Sequence, residues 1–154
     1  MAAVRTTIIR NTNYETIIKY EGSSADTAAT IDISTLASAK QARNSDTPTV
    51  NIVKLIASGL LTSGVLITRN GINILAAAPE TAPVIDLTQN GISDNLQNTQ
   101  NIVITCSGSA STGYLVLRKL LGWDSKVEYE KYGAYDDESR VGASTTLSGS
   151  PDRV

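Results

Sequence analysis

Two runs, Gly64-Val-Leu-Ile-Thr-Arg69 and Ile72-Asn-Ile-Leu-Ala-Ala77, stand either side of the dipeptide Asn70-Gly71. Both turn residues tolerate positive φ, so Asn-Gly between two apolar runs is the strongest short-range hairpin signal a sequence offers. In the second run Ile72 and Ile74 flank Asn73, the period-2 alternation of a strand with one face in and one face out. The stretch reads as a β-hairpin, and the chain on both sides continues in the same manner.

Thr, Ser, Asn and Gly recur at short intervals, and between them lie further runs rich in Ile, Val and Thr, the composition of strands. These are Val4–Arg10, Tyr14–Tyr20, Ala28–Ile33, Val50–Ala57, Pro83–Leu87, Asn101–Cys106 and Tyr114–Leu121. In the last of them Tyr114, Val116 and Arg118 share one face, opposite Leu115, Leu117 and Lys119. Asn51-Ile-Val-Lys-Leu-Ile56 and Asn101-Ile-Val-Ile104 instead carry apolar residues on both faces, as strands covered on both sides do.

A second Asn-Gly at Asn90-Gly91 marks another turn, and Ser107-Gly108-Ser-Ala-Ser-Thr-Gly113 reads as a hairpin loop. Ser34–Arg43 is either a short helix capped by Ser34 or Thr35 or a polar loop. The expected fold is all-β: an antiparallel β-sandwich or jelly-roll-like domain over residues 1–122, with at most one short helix. The chain's 154 residues suffice for one core. With 5% aromatics and no Phe, that core must be built from Ile, Val, Leu and Ala.

From residue 123 the composition changes. Residues 123–154 begin with an acidic stretch holding Trp123, Tyr129, Tyr132 and Tyr135, four of the chain's seven aromatics. The tail from Ser139 is rich in Ser, Gly and Thr, a composition expected to stay partly disordered without a partner. Because Trp and Tyr are enriched in interface hot spots, these four are the candidate partner-binding residues. The other reading is that the segment caps the domain's own core.

Composition removes most chemistries. With no His there is no common general base or metal ligand, and a lone Cys106 has neither a disulfide partner nor an imidazole to activate it. Gly108 to Gly113 has phosphate-loop glycine spacing, but Tyr114 and Leu115 stand where Lys and Ser/Thr belong. The acids Asp124, Glu128, Glu130, Asp136, Asp137 and Glu138 follow no calcium-loop spacing and read as solvated. A net charge of −2 without a basic face disfavours nucleic acid. No run approaches the ~18 apolar residues of a membrane helix, and no secretory leader is visible. The expectation is a non-enzyme without cofactors or metal, made in the cytoplasm.

The stretch Ile9-Arg-Asn-Thr-Asn-Tyr14-Glu-Thr-Ile-Ile-Lys-Tyr20-Glu-Gly-Ser-Ser-Ala-Asp-Thr-Ala-Ala-Thr-Ile-Asp-Ile-Ser34 resembles small virion proteins of tailed phages, marine and cyanobacterial ones especially. Val50-Asn-Ile-Val-Lys-Leu-Ile56 and Tyr114-Leu-Val-Leu-Arg-Lys119 are similar to their later strands, so the resemblance spans about residues 5–120. It implies a small β structure on the capsid or neck with no catalytic residues, located in the virion. The implied role is capsid decoration, with the major capsid protein lattice or other virion proteins as partners, and homo-oligomers as a further possibility. The alternatives are a neck or tail component and a carbohydrate-binding or host-adhesion module. Residues from Trp123 onward depart from the shorter ending of those proteins.

Overall fold

The structure, a computed structural model, describes residues 2–44 and 47–125. Its strands in chain order are β1 (Arg5–Asn11), β2 (Glu15–Gly22), β3 (Ala29–Ile31), β4 (Gln41–Arg43), β5 (Val50–Gly59) and β6 (Gly64–Arg69), followed by β7 (Ile72–Ala77), β8 (Val84–Asp86), β9 (Ile102–Ser107), β10 (Ser111–Lys119) and β11 (Trp123–Ser125). One sheet has the order β1-β2-β10-β5-β8, the other β3-β9-β6-β7, and β4 pairs with β11 at one end. All strand pairs are antiparallel. The fold is an all-β, sandwich-like domain.

Alternation builds the core. Ile18, Tyr20, Leu55, Leu115 and Leu117 point inward from the five-stranded sheet to meet Ile31, Val65, Ile67, Ile102, Ile104 and Cys106 from the other. Burying each such aliphatic side chain stabilises the fold by roughly 1.5–3 kcal/mol, so the aliphatic composition suffices without Phe. All nine apolar runs of the sequence lie on strands, and Asn70-Gly71, with φ of 51° and 73°, makes the β6–β7 hairpin. The two-faced apolar pattern of β5 has a local cause. Val116 pairs with Lys54 and Leu117 with Ile52, which leaves Val53 as a bulge that shifts the phase of the strand.

One open alternative is decided and one expectation needs correction. Ser34–Arg43 forms no α-helix: it holds the end of a 3-10 turn at Ile33–Thr35, capped by the Asp32 side chain on Ser34 N, and then the short strand β4. The loop after β9 is not a hairpin. β9 and β10 belong to different sheets, so residues 108–110 cross the sandwich. Among the described connections only β1–β2 and β6–β7 turn back within a sheet.

The crossings are knitted together at one end. Leu60 N donates to Ala110 O (3.3 Å) and Ser24 N to Gly108 O (3.1 Å), while the Thr62 and Ser109 hydroxyls meet at 3.1 Å. Gly108, at φ +70°, lies so close that a Cβ there would sit 1.9 Å from Thr62 O. At the other end two buried cations tie the strands. Arg69 donates to Gln100 O, Val50 O and Asn98 O. Lys119 Nζ donates to Asn11 Oδ1 (2.7 Å), Thr12 O (2.8 Å) and Gln41 Oε1 (2.7 Å).

Candidate interaction surface

Of the four aromatic residues singled out in the sequence, Trp123 lies in the described structure; Tyr129, Tyr132 and Tyr135 lie outside the described residues. Trp123 is half-buried on β11 and packs against the core. Its indole N–H donates to Thr49 O (3.1 Å), and Lys119 Nζ lies 5.1 Å from its ring centroid. The indole thus covers the buried lysine, and its contacts are those of a residue closing its own domain.

Among the described residues Lys119 is the most perturbed amine. Burial pulls its pKa down to about 8 from an ordinary 10.5. Its three acceptors are neutral oxygens arranged around an ammonium, and with every N–H engaged the group has no direction left for a substrate. Arg69 is 1% exposed, and burial lowers its guanidinium to about 10, still charged at neutral pH. Cys106 is buried on β9, where desolvation raises its thiol pKa, the opposite of what a nucleophile needs. Asp124 accepts a hydrogen bond from Asn44 Nδ2 (2.6 Å). The other acids singled out in the sequence lie outside the described residues. Among the described residues no three His, Cys, Asp or Glu side chains are grouped to hold a metal.

What the surface does present is apolar. Leu60 and Leu61, in the β5–β6 crossing, are 64% and 63% exposed. The crossing is held rigidly: Ser63 N and Oγ both donate to Leu60 O, at 3.0 and 2.6 Å. Thr62 adopts φ +76°, a left-handed conformation that costs a non-glycine residue of order 1–2 kcal/mol. The bonds around it hold two leucines in solvent at that cost. Sequence reading passed over this pair because Leu60-Leu61 follows an apolar strand. The available signal was their place after Gly59, where the alternation has already ended.

A second apolar feature is the open side of the sandwich. Thr6 and Ile8 pair across the ladder with buried Tyr20 and Ile18, so they face inward. Ile8 nevertheless stays 46% exposed, because the four-stranded sheet ends at the short β3. A cleft of about 460 Å³ lies between them, with Ile18, Ile31 and Leu36 among its lining and threonines on its walls.

Compared with known proteins, the chain matches no family model, no curated protein and no solved structure.

Proposed function

We propose that this chain is a non-enzymatic virion structural protein, a capsid decoration protein that docks on the major capsid protein lattice. The observation that carries the docking is the rigid Leu60-Leu61 tip, where two large apolar side chains are kept in water by a crossing that the fold braces. Exposed apolar residues on a well-braced loop are what a docking surface needs, since little conformational entropy is left to lose on association. The virion assignment is supported by the sequence resemblance over residues 5–120. The two buried cations, Arg69 and Lys119, spend their donors on oxygens of the domain itself.

The test pairs location with contact. Mass spectrometry of purified particles should find the chain at hundreds of copies. A dozen copies would move the protein to the neck or tail, and absence would end the virion reading. On isolated capsids the double substitution Leu60→Ser with Leu61→Ser should leave the thermal melt unchanged. It should weaken binding by about 3 kcal/mol, or roughly 100-fold. Wild-type binding by that variant would remove the tip from the contact.

A further inference from the structure

On its open side the sandwich ends in two strand edges, β1 from one sheet and β3 from the other. The edges start together: Val4 N donates to Thr27 O and Thr27 N to Ala2 O, both at 2.9 Å, in a parallel bridge just before the strands. They are tied again at the far end, where Asn11 Nδ2 donates to Leu36 O (3.1 Å) and Ala37 O (3.3 Å). Between these ties β1 and β3 run in the same direction and stand apart. The cleft of about 460 Å³ occupies the gap, floored by Ile18, Ile31 and Leu36.

Every residue of β1 from Arg5 to Arg10 is exposed, Ile8 and Ile9 by 46% and 51%. Among the described residues no strand lies along its outer row of backbone N–H and C=O groups. An open edge rich in Thr and Ile invites pairing with any other extended chain, which natural sheets prevent by covering it. A strand laid in the cleft antiparallel to β1 is antiparallel to β3 as well, so one segment can pair with both edges and join the two sheets.

Position, direction and pattern name the occupant. β11 ends with Ser125 opposite Gln41. Gln41 Oε1 and Asn11 Oδ1 accept from the same Lys119 Nζ, each at 2.7 Å, so the chain leaves β11 beside the Asn11 end of the cleft. A segment that enters there and runs toward Ala3 has the antiparallel sense both edges need. In the residues that follow, Lys126-Val-Glu-Tyr-Glu130, Val127 and Tyr129 alternate with charges, the period-2 pattern of a strand with one apolar face.

We propose that residues 126–132 of this same chain fill the cleft as a strand between β1 and β3. Val127 and Tyr129 lie against Ile8 and the apolar floor. Glu128 and Glu130 turn to solvent on the side where β1 carries Arg5 and Arg10, whose ladder partners Glu21 and Ile17 face outward. The charges suit each other, since Arg10 meets Glu15 only at 3.8 Å and has room for a second carboxylate. An edge closed in this way is withdrawn from pairing between copies.

The experiment is hydrogen exchange of the full chain, read by mass spectrometry on peptides covering β1 and residues 126–132. Amides of residues 126–132 should exchange at least about tenfold more slowly than unstructured amides. Val127→Asp with Tyr129→Asp should return them to fast exchange and lower the protection of β1, while β5 and β10 keep theirs. Ile8→Asp, an exposed change on the cleft side, should release residues 126–132 as well, and Tyr135→Asp, beyond the strand, should change nothing. Fast exchange of residues 126–132 in the parent, or a double variant that leaves β1 unaltered, would overturn the assignment. So would protection that disappears on dilution together with a dimeric mass in light scattering, which would give the cleft to a neighbouring copy's segment.

Discussion

Replacing Arg69 by Met tests whether a buried cation without a carboxylate holds one end of this sandwich together. The side chain lies inside the core and makes four hydrogen bonds: Nε and Nη2 to Gln100 O (3.0 and 2.7 Å), Nη1 to Val50 O (2.7 Å) and Nη2 to Asn98 O (3.0 Å). Methionine fills much of the volume but donates nothing. Asn98 O keeps the Val50 amide as a partner (3.0 Å), so the loss falls on Gln100 O and Val50 O. An acceptor stranded in the interior costs roughly 1–3 kcal/mol, and part of that is returned because the guanidinium need no longer be desolvated. The expected destabilisation is about 3 kcal/mol, a large share of the ~5–15 kcal/mol typical of a domain. Urea unfolding followed by tryptophan fluorescence should show a midpoint lower by roughly 1.5–2 M at unchanged slope. Arg69→Lys should fall between, since one ammonium cannot span three carbonyls. A methionine variant within ~1 kcal/mol of the parent would refute the clamp and show that water satisfies those carbonyls.

Two further outcomes follow from the same structure. Gly113→Ala puts a Cβ 2.2 Å from Ile56 O and 2.5 Å from the Tyr20 ring, so it should cost about 3 kcal/mol and lower Tm by roughly 6–12 °C; because the nearer atom is backbone, adding Tyr20→Leu should not restore stability, and a calorimetric melt checks both. Lys119, with its folded pKa near 8 against 10.5, binds fewer protons folded than unfolded between those values, so its contribution to stability is constant below pH 8 and rises above it, by up to ~3 kcal/mol in all. Urea unfolding at pH 7, 8.5 and 9.5, below most tyrosine ionisation, should therefore show a rise that is missing in Lys119→Met; parallel pH profiles for the two proteins would show that the amine keeps its ordinary pKa.

Much of this architecture was legible because strand patterning is local. Nine runs were visible as alternating or wholly apolar segments, and the face assignment of Leu115, Leu117 and Lys119 holds because period 2 persists along all of β10. The strands that escaped, β4 and β11, are three residues each. Gln41-Ala-Arg43 carries no pattern of its own, and its pairing with Trp123–Ser125 comes from a partner far along the chain. Turn chemistry showed where the chain bends but not the sheet it enters next. That is why the glycines at 108 and 113 suggested a hairpin loop, when Gly108 packs a sheet crossing and Gly113 makes room for the Tyr20 ring. Cross-strand neighbours were illegible for the same reason: Asn51 and Arg118 come together only through ladder register.

The two buried cations explain why the ends of the domain differ. Arg69 and Lys119 both converge on Val50, one through Val50 O and the other as its ladder partner. Both are solvated by amide and carbonyl oxygens rather than by acids. Such a site has a directional requirement that an apolar cluster lacks: three or more oxygens must stand at fixed distances, so the β1–β2 turn, β4 and the 98–100 loop each have one acceptable position. Desolvation makes that end costly, and the pKa of Lys119 reports the cost, but it is hard to rearrange. The opposite end is closed by loop crossings whose backbone bonds leave Leu60 and Leu61 outside. On the proposed docking role a partner would cover those leucines, and the braced loop that holds them in water is what such a contact would use.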